Sequence, residues 1–134
     1  MILMNYFQVK LIKHLLERKF FWLALIWTFV ITVASLVSVN SFSKIKSVGN
    51  DKIVHFLFYL FFVILWGLVK RQNDSNRKYY LFVFLVAMSY GLIIEVLQEI
   101  LTNTRQADFY DFLANTMGAF VGLIVLLYYK NKFF

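Results

Sequence analysis

The chain has 134 residues, enough for one domain, and 61% of them are hydrophobic, 20% aromatic and only 16% charged. That balance is too apolar for a soluble domain and points to an integral membrane protein. The net charge of +7 comes from short basic tracts beside apolar segments, a topology signal rather than a nucleic-acid surface, and the absence of cysteine excludes disulfides, thiol nucleophiles and thiolate metal sites.

Residues 1–19 place Met4, Phe7, Leu11, Ile12, Leu15 and Leu16 at helical spacing among Lys10, Lys13, His14, Glu17, Arg18 and Lys19, which predicts a basic amphipathic helix lying at the membrane surface. The transmembrane domain then occupies 20–134. Its first span, 20–39, carries no ionisable side chain and reaches roughly 30 Å as a helix. It is too long for a signal-peptide core and has no clear small-x-small cleavage site, so it reads as an uncleaved anchor. A polar loop, 40–50, leads to a second span over 53–69. A charged turn, 70–78, leads to a third over 79–101, and the loop 102–110 leads to a fourth over 112–129. The sequence contains no proline, so proline-broken helices of the transporter type are not signalled.

The fold class expected is an all-α membrane four-helix bundle with a short interfacial helix at its N-terminus. Four basic residues lie in the N-terminal arm, four in the 70–78 turn and two in the C-terminal tail, against four elsewhere, which predicts both termini in the cytoplasm. With that orientation, Asp51, Lys52 and His55 at the start of span two, Glu95, Gln98 and Glu99 at the end of span three, and Asp108, Asp111 and Asn115 at the start of span four all fall at the extracytoplasmic mouth. Ionisable residues within spans are costly, so their meeting at one end predicts a site.

Each member has a chemistry and a plainer role beside it. Asp51, His55 and Tyr59 share one helix face, so a carboxylate can hold the imidazole, although Tyr59 reads as packing. Glu95 follows sixteen uncharged residues, so its carboxyl is either pushed toward its neutral form by desolvation or held ionised by a basic partner, for which Lys52, His55 and Arg105 are the candidates; a structural ion pair would use the same residues. Asp108 reads as a helix cap with Asp111 in the first turn, and Asn115 is expected to reach across to another helix. Ala114, Gly118 and Gly122 form a small-residue ridge for close packing.

Taken together, D51-K52-x-x-H55-x-x-x-Y59, G91-x-x-x-E95-x-x-Q98 and R105-x-x-D108-x-x-D111-x-x-x-N115-x-x-G118-x-x-x-G122 resemble the VanZ-like family of small bacterial membrane proteins, over Asp51 to Gly122. The resemblance implies a multi-spanning helical protein of the bacterial plasma membrane, and the family's namesake is an accessory factor in teicoplanin resistance. It also implies a polar signature at Asp51, Lys52, His55, Glu95, Gln98, Arg105, Asp111 and Asn115, with Asp108 fitting as well.

The expected function is binding or processing of an envelope lipid or a lipid-linked wall precursor, with Asp51, Lys52, Gln98, Arg105, Asp108, Asp111 and Asn115 as binding residues. The alternatives are an enzyme with Glu95 and His55 as acid and base, and a structural or partner-binding protein without a small-molecule site. Membrane lipids are the expected partners, with self-association open and nucleic acid excluded. No cofactor and no metal site are expected, a divalent ion at Glu95, Asp108 and Asp111 being the minor reading for want of a tight ligand motif.

Overall fold

A computed structural model describes residues 2–37, 48–69, 76–102 and 108–130. Four helices account for them: α1 (Ile2–Leu36), α2 (Val48–Val69), α3 (Asn76–Leu101) and α4 (Phe109–Lys130), with no strand among the described residues. Four segments are long and apolar enough to cross a membrane, Arg18–Leu36, Asp51–Val69, Arg77–Leu101 and Phe109–Tyr129.

The expected division between a surface helix and a first span is not a break in the backbone. Nothing in the sequence before Val48 is glycine or proline, so no residue interrupts the hydrogen-bond ladder, and α1 runs continuously for 35 residues. At about 1.5 Å per residue it is ~50 Å long, well beyond a hydrocarbon core of ~30 Å. Its basic N-terminal half therefore extends past the apolar span. Helices α3 and α4 likewise begin three residues before the expected spans, because Asn76–Lys78 and Phe109–Asp111 continue the helix into polar sequence. The expected loops at 40–50, 70–78 and 102–110 lie largely outside the described residues.

Helix α2 is the centre of the bundle: it packs against all three others, whereas α1 and α4 do not pack on each other within the described residues. The α2–α4 contact is the closest, and glycine is the reason. A Cβ at Gly118 would collide with the Phe56 carbonyl, and one at Gly122 would stand 2.9 Å from the Leu60 carbonyl oxygen and 3.0 Å from Val63 Cβ. Helix α1 is held by side-chain bonds instead. The Trp27 indole donates to the Phe58 carbonyl (3.0 Å), the Trp66 indole to Thr28 Oγ1 (3.1 Å), and Thr32 Oγ1 meets the Tyr90 hydroxyl at 2.6 Å.

The apolar core gathers Ile31, Tyr59, Phe62, Val63, Tyr80, Val83, Ala87, Ala119, Leu123 and Leu126, with Phe62 stacked on Tyr90 at 5.5 Å. Large apolar side chains such as Phe29 (68% exposed) and Phe82 (62%) point outward. In water that surface would drive aggregation; in a bilayer it is the lipid face.

Candidate functional site

The N-terminal turns of α2 and α4 and the C-terminal turns of α3 lie at one end of the bundle, and their polar side chains form a connected network. Asp108 sets the start of α4. Its carbonyl accepts from the backbone N–H groups of Asp111 and Phe112, and its Oδ1 accepts from the Tyr110 N–H at 2.8 Å, which is an N-cap. Its other oxygen, Oδ2, accepts from Lys52 Nζ at 3.0 Å. The Tyr110 N–H first and the Lys52 ammonium second hold the Asp108 carboxyl below the ordinary aspartate range.

Lys52 also donates to Asp111 Oδ1 at 3.0 Å and lies 5.6 Å from the centre of the Tyr110 ring. One ammonium thus joins α2 to two carboxylates at the start of α4. Lys52 and Asp108 remain partly exposed, with side-chain exposures of 34% and 42%, so this pair forms the rim. Asp111, at 12%, begins the interior.

One turn deeper, His55 and Glu95 are each 4% exposed. His55 Nδ1 lies 3.0 Å from Asn115 Oδ1, and Asn115 Nδ2 donates to Glu95 Oε1 at 3.3 Å. Asn115 is therefore the link between α2 and α3, with one amide end for each. His55 Nδ1 is also 3.8 Å from Glu95 Oε1, and His55 Nε2 is 3.7 Å from Asp111 Oδ2. Both separations exceed hydrogen-bonding distance. Two buried oxygens at this level, Glu95 Oε2 and the Tyr59 hydroxyl, have no hydrogen-bond partner among the described residues. In an apolar interior each such group costs several kcal/mol, about 1–3 by mutational measures. Gly91 faces this floor, its Cβ position 3.3 Å from the Tyr59 ring and 3.4 Å from Asn115 Nδ2.

The structure brings Asp51, Lys52, His55, Glu95, Asp108, Asp111 and Asn115 to the same end, and one ligand atom each from Asp51, His55 and Asp111 fits within 4.8 Å. Gln98 turns elsewhere: its Nε2 donates to the Ser35 carbonyl at 2.9 Å, tying α3 to the C-terminal end of α1. Arg105 lies outside the described residues. Sequence reasoning missed that the Tyr59 hydroxyl has no partner among the described residues, which its helical spacing from His55 could have flagged, and it missed the Ser35 carbonyl, for which backbone chemistry leaves no sequence signal.

The arrangement can neutralise, hydrogen-bond and hold a polar group at the membrane boundary. No curated protein and no solved structure gives a significant match to the chain. The model of the VanZ/LLP1 family matches residues 4–130, nearly the whole chain, and its span takes in every element of the polar network, so the chain belongs to the VanZ/LLP1 family.

Proposed function

We propose that the polar end of the bundle opens to the extracytoplasmic leaflet of the bacterial plasma membrane, both termini being cytoplasmic. There it binds the head group of an envelope lipid or lipid-linked wall precursor, and through it influences teicoplanin susceptibility. The observation that carries this reading is the gradation of one network from an exposed rim, Lys52 and Asp108, to a buried floor where Glu95 Oε2 and the Tyr59 hydroxyl have no hydrogen-bond partner among the described residues. A network built only to lock helices together would close its own bonds. The distribution of basic residues supports the orientation, and membership of the VanZ/LLP1 family fits a bacterial envelope role.

Lys52 is already shared by two carboxylates, so phosphate recognition falls to Lys52 together with Arg105. Asp51, Asp111 and Glu95 suit the hydroxyl or amine groups of a sugar or peptide portion. The test is thermal stability of purified protein in detergent with a panel of envelope lipids, for wild type, Glu95→Gln, His55→Ala and Arg105→Ala, with the lipids analysed by mass spectrometry after incubation. Variants that stay folded and lose a lipid-induced shift support the site. If no lipid shifts wild type and the variants only melt earlier, the network is scaffolding and the reading fails.

A second reading has an observation of its own. A buried imidazole and a buried carboxyl 3.8 Å apart, His55 and Glu95, can serve as base and acid: one takes the proton of an attacking water or substrate hydroxyl as its oxygen bonds to the head group, and the other protonates the oxygen of the group that leaves. A modified lipid produced by wild type and not by Glu95→Gln would select this reading over binding alone.

A further inference from the structure

We propose that Asp51, His55 and Asp111 hold a divalent transition-metal ion of the Zn2+ or Mn2+ class. Asp51 and His55 are four residues apart on the first turns of α2, so their side chains share a face, and Asp111 meets them from the first turn of α4. One ligand atom from each lies within 4.8 Å of the others. Ligands of a single ion with bonds of about 2.0–2.2 Å stand roughly 3–4 Å apart, so the set closes with side-chain movements of under ~1 Å.

The imidazole is what raises this set above a group of acids. His55 Nε2 belongs to a side chain only 4% exposed, and it faces Asp111 Oδ2 at 3.7 Å. That distance is too long for a hydrogen bond and suits two ligands of one ion. The state of Nε2 is set from the far side of the ring. Asn115 donates its amide N–H to Glu95 Oε1, so its carbonyl oxygen is the end that faces His55 Nδ1. The proton of a neutral ring is therefore held on Nδ1, which leaves a lone pair on Nε2, the nitrogen 3.7 Å from Asp111 Oδ2. Metal-bound histidines commonly donate their other N–H to a carbonyl or carboxylate in this way, and here Asn115 and Glu95 supply both in series.

Lys52 positions the ligand rather than filling the site, because it takes Asp111 Oδ1 and leaves Oδ2 toward His55. One nitrogen with carboxylate oxygens favours Zn2+, Mn2+ or Fe2+ over Mg2+ and Ca2+, which prefer oxygen alone. The proposal does not rest on the lipid-binding reading, and it is tested without lipid.

Tag-free, chelator-stripped protein in detergent is titrated with Zn2+ and with Mn2+ by calorimetry. One ion per chain is expected, with His55→Gln weakening it at least ~100-fold and the positioning variant Asn115→Leu weakening it about 10–100-fold. Glu99→Gln, an exposed carboxylate outside the set, is expected to bind like wild type. No binding by wild type, or equal binding by wild type and His55→Gln, overturns the proposal; the latter identifies an adventitious surface ion only. Should His55→Gln fail to fold, X-ray absorption of Co2+-loaded wild type decides. An imidazole scatterer beside oxygen ligands supports the site, and a spectrum of the hydrated ion refutes it.

Discussion

Gly118→Ala is the sharpest test of how this bundle positions its polar end. The added Cβ collides with the Phe56 backbone carbonyl, which cannot rotate aside as a side chain would. Restoring ordinary contact requires α4 to move from α2 by on the order of 1 Å, and overpacking of this kind costs about 1–3 kcal/mol. Asn115 lies three residues before Gly118 on the same stripe, so the displacement would stretch its 3.0 Å contact with His55 as well. Three other glycines calibrate the effect. Gly122→Ala meets Leu60 and Val63 at 2.9–3.0 Å and is expected to cost less; Gly91→Ala meets only side chains at 3.3–3.4 Å, and Gly67→Ala meets the flexible end of Leu126, so both should cost under ~1 kcal/mol. Thermal unfolding of the four variants in one detergent reads the order directly. If Gly118→Ala melts with wild type, or Gly67→Ala and Gly91→Ala melt first, the close α2–α4 contact does not set the geometry and the reasoning fails.

Gln98→Leu removes the bond to the Ser35 carbonyl and should cost about 0.5–1.5 kcal/mol while leaving ligand binding at the polar end unchanged; a binding defect without a stability change would place Gln98 in the site. Asn115→Leu strips the partners from His55 Nδ1 and Glu95 Oε1 together and should destabilise by about 1–3 kcal/mol, more than Thr116→Val on the neighbouring face; equal melting temperatures for the two would refute this. Because the folded-state value of Asp108 is depressed, its contribution is present above the ordinary aspartate value and is lost as pH falls through the lower, folded one. Asp108→Ala is therefore expected to flatten the acid limb of a stability–pH curve, and an unaltered acid limb would count against the cap and ion pair.

Much of this molecule was legible in the amino-acid order. Membrane insertion follows from long uncharged runs, and the approximate positions of the four spans follow because ionisable residues cannot be spread through hydrocarbon. The meeting of the polar residues was legible for the same reason: an antiparallel order of spans puts the start of α2, the end of α3 and the start of α4 at one end. The Asp108 cap was readable too, since capping depends on local backbone chemistry.

Other features are properties of packing and had to be seen in three dimensions. The sequence placed Gln98 beside Glu95 as a binding residue, but helix rotation turns it to Ser35 on α1, a partner sixty-three residues away. It left the partner of Glu95 open among Lys52, His55 and Arg105; tertiary structure inserts the Asn115 amide between Glu95 and His55 and gives Lys52 to Asp108 and Asp111. Tyr59 was read as packing, and its ring is indeed in the core, yet its hydroxyl is left without a described partner. Composition and periodicity determine what enters the membrane and which end is polar, because those are free energies of transfer for single segments. Which polar atom meets which depends on interhelical distances set at Gly118 and Gly122, and those arise only when α2 and α4 close on one another.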